Sequence, residues 1–281
     1  MDARLPDAFL NYVVSFLPPQ AAPGPQGGRR PIDHATVVKV IWFVLTVGCR
    51  WKDVPQEMGC SGETARTRLK LWEEANVWQK VHHLILSELR RNDELQLETV
   101  MIDSAQVRAF GGGDRSGPSP VDRRKPGVKQ TVLVDAKGTP LVMQSAAANV
   151  SDHCQILSTV VRFPTIKGKP GRPRLHPTTL YADAGYDSEG TRDLLRILGL
   201  TPLIRRCKEP HGSQLGRKRW VVERTISWIK GLRRIRIRYD RHATIIDAWN
   251  HLALAAICFR ILNNTASSNT EISVLCQPLR P

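Results

Sequence analysis

The apolar residues change period at Thr99, and this change constrains the fold more than any other feature of the chain. Before it, Val37, Val38, Val40, Ile41, Val44, Leu45 and Val47 recur as on a helix buried over most of its surface, with Asp33 as N-cap and Gly48 as its end. Ser61, with Thr64 three residues on, caps another helix through Leu69, Leu71, Trp72 and Val77. From Thr99 the pattern predicts strands at 99–103, 130–135 and 139–144, the last two joined by the hairpin turn Asp135-Ala136-Lys137-Gly138. A helix over 152–161, a strand over 179–183, a helix over 188–198 closed by Gly199 and a strand over 202–204 follow. That alternation makes an α/β layer, completed by helices over 217–235 and 244–262.

Boundaries follow from composition. The run PPQAAPGPQGGRRP holds neither a helix nor a ladder, so residues 1–31 are expected to be a flexible N-terminal segment. Residues 32–97 form a small all-α domain, 98–264 the α/β domain, and 265–281 a disordered tail. GGGDRSGPSPVDRRKPG, between the first two strands, has no apolar periodicity and reads as a mobile loop.

The chain carries 41 Lys and Arg against 26 Asp and Glu, a net charge of +15, which points to a polyanionic partner. The best membrane candidate, residues 37–47, is interrupted by Lys39 and too short to span, and MDARLPDAF lacks a basic n-region. No membrane partner is therefore expected, and the six unpaired-looking cysteines fit a cytoplasmic protein with reduced thiols. Three short helices with a glycine turn before the last give the order of a helix-turn-helix DNA reader. Its exposed positions would include Thr64, Arg66, Thr67, Arg68 and Lys70, and the plain alternative is a helical bundle with a solvated basic face.

Three acids stand out. Asp103 ends the apolar run Val100-Met101-Ile102, and Asp183 ends Leu180-Tyr181-Ala182. Glu223 shares a narrow helical arc with Arg219 and Lys230, while Val221, Val222, Thr225, Trp228, Ile229 and Leu232 fill the other side. Singly, each acid reads as a turn residue or an ion-pair partner; as a set they could hold two divalent metals. Residues 205–241 hold 13 Lys and Arg against 3 Asp and Glu, so a phosphate backbone near Glu223 would account for much of the excess charge.

VMIDSAQVRA, LYADAGYDSEGTR and RKRWVVERTISWIKGLRRIRIRYD resemble the three DDE segments of bacterial insertion-sequence transposases of the IS-four/IS-five superfamily. CRWKDVP and GCSGETARTRLKLWEEANVW resemble that family's helix-turn-helix region, and GVKQTVLVDAKGTPL its central hairpin. Arg219, Glu223 and Lys230 match the family's Tyr-Arg-Glu-Lys spacing, with Gly216 in place of the Tyr. The resemblance implies a ribonuclease-H-like domain, a mixed sheet flanked by helices, preceded by the small all-α helix-turn-helix domain. It implies catalytic and metal-binding roles for Asp103, Asp183 and Glu223, with Mg2+ as cofactor and Mn2+ as a substitute.

It further implies binding of double-stranded DNA at inverted-repeat ends and at a target, by a homodimer. Arg219 and Lys230 would grip phosphates, with Arg233, Arg234, Arg236 and Arg238 as further contacts. Cleavage of the ends and transfer of their 3′-hydroxyls would follow at one site. Two alternatives stay open: a DNA-binding regulator or architectural protein without catalysis, and a metal-dependent nuclease that cuts without joining.

Overall fold

The computed structural model describes residues 5–20, 30–206 and 215–268. Four helices lead: α1 (Asp7–Ser15), α2 (His34–Val47), α3 (Gly62–Glu74) and α4 (Val77–Arg91). The sheet strands follow as β1 (Thr99–Ala109), β2 (Gly117–Pro118), β3 (Pro126–Asp135) and β4 (Pro140–Ala147). Next come α5 (Asp152–Val160), β5 (Thr179–Ala182), α6 (Glu189–Ile197) and β6 (Thr201–Ile204). The chain closes with α7 (Leu215–Gly231), α8 (Arg233–Arg236), β7 (Ile237–Arg238) and α9 (Ala243–Ser268).

The main sheet runs β4-β3-β1-β5-β6, with short β2 and β7 added beside β3 and β1. β1, β3 and β4 form an antiparallel meander, whereas β5 and β6 run parallel to β1. This is the ribonuclease-H-like mixed sheet, with helices packed against it. The hairpin forms as the turn residues require: Gly138 takes φ 88°, and the Asp135 carboxylate accepts from the backbone N–H groups of Gln96, Lys137 and Thr139. Asp33 and Ser61 cap α2 and α3 through the N–H groups of Thr36 and Thr64. At the other end of α2, Gly48 is left-handed at φ 77°, and a Cβ there would stand 2.8 Å from that of Arg233.

One hydrophobic core is continuous from Phe9 to Leu262. Helix α9 runs through it, packed on α3, α4, α7 and β4, and is apolar around nearly its whole circumference. Over Ala243–Thr265 it is long and apolar enough to cross a membrane, so the choice of 37–47 as the best such stretch is corrected. Its most apolar window is 78% buried inside the protein, as in a core helix.

Three expectations about mobility and length also change. Residues 5–20 are not a flexible lead, because α1 buries Phe9, Leu10 and Val13, and Phe9 packs on Trp42 and Phe259; residues 21–29 lie outside the described residues. The glycine-rich loop is tied down: β2 pairs with β3, Arg115 forms a bidentate pair with Asp247, and the Asp114 carboxylate accepts from Ala243 N–H at the start of α9. The last helix extends to Ser268, and the remainder of the expected tail lies outside the described residues.

Candidate active site

Parallel register places the first two acids. Met101 pairs with Tyr181, so two residues further along each chain Asp103 and Asp183 come abreast. Adjacent strands lie about 4.8 Å apart, so such a pair meets unless something parts it. Asp103 does not end its strand as expected: β1 continues to Ala109, and it is β5 that stops, at Ala182, opening the sheet beside Asp103. Beyond that end, Asp183 accepts from Ala184 N–H, while Asp103 accepts from Ser104 N–H, 2.7 Å in each case.

The third acid arrives on α7, which packs across β1, β3 and β5. Val221, Val222, Ile226 and Ile229 are buried, as the helical period requires, and Thr225 donates to Gly138 O in the hairpin turn. The opposite face carries Glu223, exposed, and brings Arg219 inward. The Arg219 guanidinium lies between the two strand acids, 3.5 Å from Asp103 Oδ2 and 3.3 Å from Asp183 Oδ1. Its side chain is 11% exposed, against 23% for Asp103 and 50% for Asp183. Its Nε is buried without a hydrogen-bond partner among the described residues.

Burial pushes the Asp103 carboxyl above the usual carboxylate range, and the charges of Asp183 and Glu223 add to the rise; Ser104 N–H and Arg219 pull it back. Glu223 is thus within electrostatic reach of Asp103. Among the described residues, however, no three His, Cys, Asp or Glu side chains are gathered closely enough to hold a metal ion together. The structure joins Asp103 to Asp183 and leaves Glu223 beside them on the helix.

A polar network beneath Asp103 is not evident from the sequence. The buried Tyr186 hydroxyl is 2.5 Å from Ser104 Oγ, which is 3.0 Å from Thr131 Oγ1. Buried Lys129 on β3 pairs with Asp152 at 2.9 Å and donates to Val150 O. The available signals were the Ser directly after Asp103 and the Tyr three residues after Asp183. Asp187, the nearest sequence substitute for Asp183, is instead paired with Arg192 at 2.6 Å.

The expected DNA contacts separate into two groups. Arg234 and Arg238 are corrected to structural residues. Arg234 is 3% exposed, pairs with Asp240 at 2.9 Å and donates to Cys49 O, while Asp240 also accepts from Trp51 and Trp249. Arg238 is 7% exposed and donates to the carbonyls of Gly112 and Asp114. Both arginines are buried and engaged within the protein, so neither is presented to a phosphate. Arg233 and Arg236 are exposed and Lys230 is half-buried. On α3, Arg66 pairs with Glu63 and Lys70 with Glu74, Thr64 bonds the Ser61 cap, and Arg68 lines a shallow groove with Thr64, Thr67 and Leu71. The connection from α2 to α3 contains two 3-10 turns, at Trp51–Asp53 and Gln56–Met58, and is longer than the 3–4 residues usual in a helix-turn-helix.

A family model described as the transposase DDE domain matches residues 94–258, the span that contains all three acids. The chain belongs to the DDE transposases. A second model, for transposases of the IS4/5 family, matches residues 5–82 of the transposase. It is 43% identical over 157 residues to the protein named as the transposase of insertion sequence element IS402 from Burkholderia cepacia, covering 56% of this chain and 74% of that one. It is also 37% identical over 144 residues to a 16.2 kDa protein of the same element, covering 50% of this chain and 93% of that one. Among solved structures, the transposase is similar to the catalytic core of BIV integrase, with 12% identity and a TM-score of 0.32 over 62% of this chain and 99% of that one. It is similar to the Mos1 strand transfer complex, with 12% identity and a TM-score of 0.32 over 88% and 82%.

Proposed function

We propose that the transposase cleaves DNA at the ends of its insertion sequence and joins the freed 3′-hydroxyls to a target, with Asp103, Asp183 and Glu223 as the catalytic acids. The observation that carries this reading is the convergence of Asp103 and Asp183 on one cation, the Arg219 guanidinium. Two carboxylates already arranged about a positive charge are a donor set suited to a divalent metal, Mg2+ or Mn2+. Asp103 and Asp183 would hold it, with Glu223 contributing from α7. Bound there, the metal supplies positive charge that stabilises the oxygens of an in-line phosphoryl displacement.

The chain's own residues do the positioning. Ser104, Tyr186 and Thr131 fix β1 and the turn after β5 in one geometry, and so fix the two acids. Lys230 would grip a phosphate beside the scissile bond, and exposed Arg233 and Arg236 extend the contact along the backbone. Arg219, turned inward here, would reach phosphate only after leaving the acids. Thr64, Arg66, Arg68 and Lys70 on α3 would read the inverted repeats, within an all-α unit over 32–97 that precedes the catalytic unit over 98–264. A homodimer acting in the cytoplasm on the nucleoid would hold two ends at once.

The test is a plasmid carrying the element's own ends, incubated with the full chain in Mg2+. Wild type should nick and then join strands, while D103N, D183N and E223Q should bind the ends without nicking. Metal-independent nicking, or nicking retained by D103N, would overturn the site. Tight binding without any cleavage by wild type would favour a regulator, and cleavage without joining a simple nuclease.

A further inference from the structure

The basic turn between α5 and β5 has no part in the carboxylate site. Lys167-Gly168-Lys169-Pro170-Gly171-Arg172-Pro173-Arg174 holds four cations and no acid. Ile166 and Arg174 exchange both backbone hydrogen bonds, 3.1 Å each, which closes residues 167–173 into a hairpin. Its base is fixed to α4. Arg90 donates to Ile166 O, Lys169 pairs with Asp93, and Gly168, at φ 110°, lies so close that a Cβ would stand 2.1 Å from Ser87 O. The tip stands clear of the protein. Gly171 takes φ 91° with nothing beyond its chain neighbours within 4 Å of where a Cβ would be. Lys167 and Arg172 are exposed and have no ion-pair or hydrogen-bond partner among the described residues.

Gly and Pro make this tip slim and stiff, since Gly has no side chain and Pro fixes φ and carries no backbone N–H. The minor groove of B-DNA is about 6 Å wide, too narrow for a helix of about 10–12 Å but open to such a backbone and to one long side chain. At A·T pairs its floor carries only acceptors, adenine N3 and thymine O2, and its potential is most negative where A-tracts narrow it. A guanidinium is all donor and positively charged, so it fits that floor. A G·C pair instead sets the guanine amino group, another donor, in its way. A base held in place before DNA arrives also leaves less freedom to lose on binding.

We propose that the hairpin over 167–174 is a minor-groove contact for A·T-rich DNA, with Arg172 as the inserted side chain. The inference rests on the DNA binding given under Proposed function and not on the acids there. The hairpin leads into β5 at Thr179, the end of the strand away from Asp183, so the base pairs it reads lie apart from the cleaved bond.

The test avoids catalysis. Full-length protein in EDTA is titrated onto two labelled duplexes of equal length, one with a central A·T tract and one wholly G·C, and binding is followed by anisotropy. Wild type should bind the A·T duplex about tenfold more tightly, and distamycin, which fills the A·T minor groove, should remove that advantage. R172A should bind the two duplexes nearly alike, with unfolding temperature unchanged. R172K, which keeps the charge without the planar fork, should hold the G·C affinity and lose most of the preference. An A·T preference that is the same in R172A as in wild type would overturn the site. So would an equal loss on both duplexes, the mark of a solvated basic loop that meets phosphates only. Wild type binding both duplexes equally would sink this inference alone, whereas wild type binding neither would sink the DNA-binding reading with it. Failure of the acid site would appear separately, as plasmid nicking by D103N.

Discussion

Asp103 and Asp183 stand abreast because β1 and β5 pair in parallel with Met101 opposite Tyr181, and Arg219 from α7 lies between them. The pairing of these two acids is therefore a product of strand register, and the helix supplies the charge that makes it tolerable. A change of register by one residue would turn one acid to the other face of the sheet.

Removing one acid should separate binding from cleavage. Asp103→Asn keeps the shape and removes a negative charge from a place where phosphate would lie. Metal-dependent nicking should vanish while affinity for the ends stays level or rises slightly, more so at low salt. Parallel loss of both, measured by gel shift and plasmid nicking, would deny Asp103 a ligand role.

Arg219→Gln leaves two neighbouring carboxylates without their cation. We expect the fold to lose about 1 kcal/mol, the upper end of the range for a partly exposed ion pair. Calcium should then raise the unfolding temperature of the variant more than that of wild type, because it replaces the missing charge. Equal calcium responses would show that Asp103 and Asp183 do not take a divalent cation.

The arginines after α7 should divide by burial. Arg234→Met strands Asp240 next to Trp51 and Trp249 and should cost about 3–5 kcal/mol, as when one member of a buried pair is removed. Arg233→Ala and Arg236→Ala, at exposed positions, should change stability by under about 0.5 kcal/mol. Each should instead lower the salt dependence of DNA binding by about one unit of slope, and Lys230→Ala should do the same. Denaturant titrations and salt-dependent binding curves distinguish the two groups.

Acid should weaken the helical half of the core early. His82 is fully enclosed, donates to Pro140 O, and is pushed down by burial to about 3; His83 beside it is pushed down to about 4. Both lie below the ordinary value of 6.5, so the stability they contribute is complete above pH 6.5 and is lost as pH falls from there toward those folded values. Thermal unfolding measured on both sides of pH 6.5 should show this decline, and His82→Gln should flatten it. An identical acid slope in the variant would place the titrating groups elsewhere.

Much was legible along the chain because it depends on near neighbours. The caps at Asp33 and Ser61, the turn at Gly138, the buried face of α7 and the strands that deliver Asp103 and Asp183 all follow from local pattern. The family resemblance through VMIDSAQVRA, LYADAGYDSEGTR and the arginine-rich helix was equally readable. Partner choice was not. Arg233, Arg234, Arg236 and Arg238 look alike in sequence, yet two face water and two are consumed by Asp240 and the carbonyls of Gly112 and Asp114. The glycine-rich loop has no period of its own and takes its order from β3 and α9.

The sequence by itself determined the main helices and strands of the α/β layer to within a few residues and which of their faces are apolar, since each depends on spacing along a single element. Only the tertiary structure decided that β1 outruns β5 at Asp103, that Arg219 turns in to bridge two acids, and that Arg234 is core while Arg233 is surface. The physical reason is that a charged side chain has no preferred partner until distant elements meet. Its place is then set by which buried charges and carbonyls would otherwise go unsatisfied.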